Sequence, residues 1–147
     1  MRRLYRGADG LVVANRTGYD TLDLVRFARA GLRATRTPRD VRIEFVTAPQ
    51  RSRGCAEVGG RRMVIALNAP WYCDRNDCLR RLARMFVHEC EHIKGVPHSR
   101  MCRHVCRRGV CRKNCDLLYS YGPTPRWARG TRIRYHGRAP RQLDLLG

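Results

Sequence analysis

The order of apolar and polar positions predicts a sheet-forming first half followed by one long, well-marked helix. Leu11-Val12-Val13-Ala14 is a short apolar run after the turn-like Gly7-Ala8-Asp9-Gly10, and predicts a strand. Asp20 or Thr21 can cap a helix whose apolar positions are Leu22, Val25, Phe27, Ala28, Ala30 and Leu32, ending between Thr35 and Pro38. Val41-Arg42-Ile43-Glu44-Phe45-Val46 alternates apolar and charged residues, as a half-buried strand does. Residues 49–60 are rich in Gly and Arg and predict a loop. Met63-Val64-Ile65-Ala66-Leu67 predicts a further strand, closed by Asn68-Ala69-Pro70.

The best-defined element comes next. Asp74 or Asn76 can accept backbone N–H bonds at a helix start, and Asp77 suits the positive end of the macrodipole. Leu79, Leu82, Ala83, Phe86, Val87, Cys90 and Ile93 recur in steps of three and four up to Gly95, a natural left-handed stop, with Pro97 beyond it. After Tyr121 the chain turns Gly-, Pro- and Arg-rich. That end is expected to be loose, with one short strand at residues 131–135.

Composition adds a constraint on partners. The 147 residues carry a formal charge of +19, and only Lys94 and Lys113 of the basic residues are lysine. Such a chain attracts polyanions, so nucleic acid is a candidate partner, although an Arg-rich composition arises equally from a GC-rich genome. No apolar run approaches the roughly 18 residues of a membrane span, so no membrane partner is expected. The first residues lack the apolar stretch of a secretory signal, which points to a cytoplasmic protein. In a reducing compartment, eight cysteines argue for metal binding or burial over a disulfide framework.

The candidate chemistry lies inside the long helix, at His88-Glu89-Cys90-Glu91-His92. At about 100° per residue, the two histidines fall roughly 180–220° from Leu79, opposite the apolar stripe, with Glu89 flanking them. Two imidazoles one turn apart and a carboxylate beside them suit a metal with an open coordination position. A third ligand is available. Ile93-Lys94-Gly95-Val96-Pro97-His98 completes H-E-x-x-H-x-x-G-x-x-H, and Gly95 permits the reversal that returns His98 to the metal. No Glu follows Glu91, which removes a downstream glutamate from consideration, while His104, Asp116 and Asp144 remain weaker third ligands. A chance H-E-x-x-H arises in roughly a few chains per thousand of this composition, and the added Gly and His make coincidence far rarer.

The segment from His88 to His98 resembles the metzincin-type zinc peptidases within the broader zincin group. The resemblance implies an α+β, zincin-like domain over residues 1–101, with a small mixed sheet and an active-site helix. A Cys-rich basic extension over residues 102–147 would follow it. It implies one catalytic Zn2+ on His88, His92 and His98, and a peptide or protein substrate. The peptide bond would be cleaved by a zinc-bound water that Glu89 deprotonates. It also implies that an edge strand, here the run Met63 to Leu67, lines the cleft and pairs with the substrate. Metzincins carry a methionine-bearing turn well downstream of the third histidine; here the only later methionine is Met101.

Cys102, Cys106, Cys111 and Cys115 form a second cluster, with C-x3-C spacings that suit neighbouring turns of a helix. Four thiolates would close a second, structural zinc site; two disulfides are the alternative. Cys73 and Cys78 are candidates for a further bridge, Cys90 for simple burial, and Cys55 for a cap on the catalytic metal. Arg100, Arg103, Arg107, Arg108, Arg112 and Lys113 interleave with the cluster. They motivate a rival reading as a nucleic-acid-binding zinc module. A hybrid also exists: SprT-like zincins join H-E-x-x-H to a Cys-based module and act on DNA-bound proteins. Tyr119 or Tyr121 could donate to an oxyanion, Trp71 and Tyr72 are expected to pack, and His136 is an ordinary surface residue.

Overall fold

A computed structural model of the chain describes residues 3–48, 53–68, 75–101, 103–107, 110–114 and 122–137. In chain order the elements are β1 (Arg3–Arg6), β2 (Val12–Asn15), α1 (Thr21–Ala34), β3 (Arg42–Ala48), β4 (Arg53–Ala56), β5 (Arg62–Asn68), α2 (Arg75–Ile93), α3 (His98–Met101), β6 (Arg103–Arg107) and β7 (Val110–Asn114), followed by a 3-10 turn at Arg126–Ala128. Strands β1 to β5 form an open mixed sheet in the order β1-β2-β3-β5-β4. The central three are parallel, and β1 and β4 run antiparallel at the two edges. No described helix is long and apolar enough to cross a membrane.

Alternation in β3 and β5 decides which face of the sheet is covered. Ile43, Phe45, Met63, Ile65 and Leu67 are buried, and the register pairs Ile43 with Met63 and Phe45 with Ile65. These side chains share one core with Leu24, Phe27 and Ala28 of α1 and with Leu82, Phe86, Cys90 and Ile93 of α2. Both helices therefore lie against the same face. The side chains between them in sequence, such as Arg42, Glu44 and Val64, stay partly exposed on the other. Gly31 sets the distance between the helices, because a Cβ there would lie 2.6 Å from the Phe86 ring. The caps follow from composition too: Asp20 accepts from the Asp23 backbone N–H at 3.0 Å and starts α1.

Several expectations need correction. The run Met63 to Leu67 is not an edge, since β5 is paired on both sides; the edge position belongs to β4, inside the stretch expected to be a loop. Neither β1 nor β4 exceeds four residues, too few for an alternation to register, and each is extended because it pairs with a longer neighbour. At the second cluster the C-x3-C spacing does not sit on a helix. Cys106 and Cys111 occupy opposite register positions of the antiparallel β6–β7 pair, where the β-branched Val105 and Val110 favour extended backbone. Cys102 and Cys115 lie outside the described residues. Finally, thiols are not reserved for metal or burial: Cys78, a candidate for a bridge with Cys73, is disulfide-bonded, while Cys73 lies outside the described residues. The partner of Cys78 lies outside the described side chains, among which only Cys55 and Cys90 are free thiols.

The stretch 122–137, expected to be loose, is a strap packed on the core. Trp127 lies with its ring centroid 5.1 Å from that of Phe27 and 6.1 Å from that of Phe86, and Ala128 is fully buried. Further on, the Arg134 backbone N–H and Nε donate to Asp23 Oδ2 at 3.0 and 2.9 Å, and His136 Nε2 donates to Asp20 at 2.9 Å. The strand expected at residues 131–135 reduces to one bridge, Tyr19 with Tyr135.

The hydrogen bonds from Arg134 hold the Asp23 carboxyl below the ordinary carboxylate range. A lowered folded-state pKa means stabilisation that is present above the ordinary value and lost as pH falls through the lowered one. Asp23→Asn is expected to cost about 1–2 kcal/mol at neutral pH, discounted for the half-exposed Arg134. The cost should shrink below about pH 4. Thermal melts between pH 3 and 7 check this; a cost that does not vary with pH would remove the assignment.

Candidate metal centre

The ends of α2 and its following turn position the site. Gly95 takes φ +95°, its N–H bonds the His92 carbonyl at 2.9 Å, and the Val96 N–H bonds the Glu91 carbonyl at 3.0 Å. This pair of bonds is the Schellman arrangement, which closes a helix and turns the chain back across its end. Pro97 cannot continue α2, and its carbonyl instead accepts from the N–H groups of Arg100 and Met101, starting α3. His98 is the first residue of α3, and Met101, its last, is fully buried. The buried Met101 anchors the short turn that carries His98, three residues away.

The three imidazoles converge. His98 Nε2 lies 3.2 Å from His88 Nε2 and 3.0 Å from His92 Nε2. Two nitrogens bound tetrahedrally to one zinc are about 3.3 Å apart, so both distances to His98 match a shared ion, and the three donors all lie within 4.8 Å of one another. His92 adds a protonation argument. Its Nδ1 lies 2.7 Å from the Val96 carbonyl, which accepts and so requires the proton on Nδ1; Nε2 is then a bare lone pair aimed at the other rings. The same Schellman turn that reverses the chain thus supplies the backbone oxygen that fixes the tautomer, the usual outer partner of a ligating histidine. His88, His92 and His98 could together hold a metal ion.

Glu89 completes the site. The residue is 3% exposed, and its Oε2 is buried with no hydrogen-bond partner among the described residues. Burial alone pushes its pKa up to about 7. A buried carboxylate without a partner is costly unless a cation or a reacting group takes its place. Glu91, on the other flank of the helix, is taken up by Lys94 at 2.6 Å.

Two residues of the site were not singled out from the sequence. Gly54 on β4 abuts the carboxylate, and a Cβ there would lie 2.9 Å from both Glu89 Cγ and Oε1. Only a bare backbone lets the edge strand approach so closely. The detectable signal was a glycine in a stretch too short to read as a strand. Gly59, in the β4–β5 turn, donates its N–H to the His92 carbonyl at 2.8 Å, so the turn is fastened to the ligand-bearing end of α2. Gly54→Val is expected to displace Glu89 and to cut any hydrolytic activity of the centre at least tenfold, while any metal content stays at the wild-type level. Equal losses of both would mean that the strand merely supports the ligands.

Other candidates separate from the site. Alternation on β4 puts Cys55 on the face opposite Gly54, where it lines a groove with Arg42, Glu44 and Arg62. It therefore cannot cap the metal without turning the strand over. His104 falls on β6, described in its backbone alone, while Trp71, Tyr72, Asp116, Tyr119, Tyr121 and Asp144 lie outside the described residues. Comparison with known proteins found no matching family model, no matching curated protein and no matching solved structure.

Proposed function

We propose that the protein is a zinc-dependent peptidase of zincin type, with His88, His92 and His98 as ligands and Glu89 as general base. One observation carries the reading: three ring nitrogens meet within 3.2 Å neighbour distances beside a buried carboxylate whose Oε2 lacks a partner. A purely structural metal would be closed by a fourth protein ligand. Here the described residues supply three, and a general base stands beside them. This disfavours the rival in which the chain is only a nucleic-acid-binding module.

Zinc held by this triad would supply Lewis acidity toward a peptide carbonyl and toward water. Glu89 takes a proton from the attacking water as its oxygen bonds the carbonyl carbon, then passes that proton to the amine as the C–N bond breaks. Among the described residues the outer edge of strand β4 is unpaired, next to Glu89 through Gly54, and an extended peptide adding to that edge would lie along the site. Elemental analysis combined with hydrolysis of an unstructured protein such as casein tests the reading. Zinc is expected in the purified chain, with cleavage lost on chelation and regained on zinc addition. Failure to hold any divalent metal would end the proposal.

A further inference from the structure

The sheet face away from the helices carries an arrangement that packing does not explain. Along one row of the register, Arg6 pairs with Val12, Val12 with Arg42, and Arg42 with Arg62. Arg42 and Arg62 thus occupy neighbouring positions on adjacent strands, about 4.8 Å apart at the backbone. Like charges side by side on a sheet destabilise it, yet neither has an ion-pair partner among the described residues. Glu44, the nearest carboxylate in the next row of the same face, is taken by Arg16 at 3.0 Å. Both arginines line a groove of ≈ 670 Å³, floored by the strands and open to solvent, together with Arg16, Glu44, Cys55, Glu57 and Val64, so that three guanidinium groups face two carboxylates.

We infer that this groove is a phosphate-binding surface for nucleic acid, separate from the metal centre and independent of the peptidase reading. A phosphodiester oxygen between two guanidinium groups converts their repulsion into paired, charge-assisted hydrogen bonds. A polyanion is favoured over a small anion because the row continues to Arg6 across the sheet and the whole chain carries +19. The outer rows of the sheet contain no aromatic side chain among the described residues, so bases have no platform on which to stack. Binding therefore goes through phosphates, without sequence preference. A duplex, with its denser charge, binds tighter than a single strand.

The test is fluorescence anisotropy with a labelled 20-base-pair DNA duplex at several salt concentrations, on the full chain. The variant Arg42→Ala/Arg62→Ala is compared with a charge-matched Arg26→Ala/Arg33→Ala control on the exposed side of α1. The first is expected to bind at least tenfold more weakly. Its slope of log affinity against log salt should flatten by about 2, one per lost phosphate contact. The control should lose no more than about twofold. The outer-face variant should melt no lower than wild type, because a like-charge contact has been removed. Duplex should also slow alkylation of the exposed Cys55 several-fold, read by peptide mass. Equal losses in both variants, or unchanged Cys55 reactivity with duplex bound, would place binding elsewhere and overturn the inference. So would binding of polyglutamate but not of duplex.

Discussion

Glu89→Gln is expected to lower turnover by 10²–10⁴-fold, the range that a positioned general base contributes, with zinc stoichiometry unchanged. The amide keeps the shape of the carboxyl but cannot accept the proton of the attacking water. Because Glu89 is not among the converging ligands, its loss should leave the metal in place. The substitution also replaces a buried charge, whose Oε2 is unpartnered, with a neutral group. The metal-free variant should therefore be at least as stable as wild type. An active Glu89→Gln enzyme would remove Glu89 from the mechanism. Loss of both zinc and activity would instead make it a ligand.

The second large effect is on metal-linked stability. A ligand that binds only the folded chain at 1,000 times its dissociation constant stabilises it by about 4 kcal/mol. For a domain of this size that corresponds to a rise in Tm of about 8–16 °C. Zinc should produce such a shift in wild type and little or none in His92→Ala, which loses one of three ligands and the bond to the Val96 carbonyl. Differential scanning calorimetry with and without zinc decides it. A His92→Ala chain that is stabilised as much as wild type would mean that the ion sits elsewhere.

How far the sequence reached depends on how each feature is encoded. The triad was legible because all three candidate ligands fall within eleven residues, on one helix and the turn after its glycine stop. There, 3.6-residue geometry and a left-handed turn determine the spatial outcome locally. Strand β3 was legible because apolar and charged residues alternate along its first half, and β5 because it is an unbroken apolar run closed by turn residues. What could not be read depends on distant pairing. Arg53-Gly54-Cys55-Ala56 has no extended preference strong enough to announce a strand, and β5 is its template. The strap at residues 122–137 looks polar because its anchors are single residues, Trp127 in a pocket of α1 and α2 and Arg134 on Asp23, separated by loop. The arginine row on the outer face is invisible in one dimension, since register alone puts Arg42 beside Arg62 and Arg6 in the same row beyond Val12.

The His92 carbonyl receives two backbone N–H groups, from Gly95 within the closing turn and from Gly59 across the hairpin tip. The β4–β5 turn and the helix carrying the His88 and His92 imidazoles thus share one backbone acceptor, in addition to the close approach of Gly54 to Glu89. Loss of the Gly59 bond would leave that acceptor to the closing turn alone.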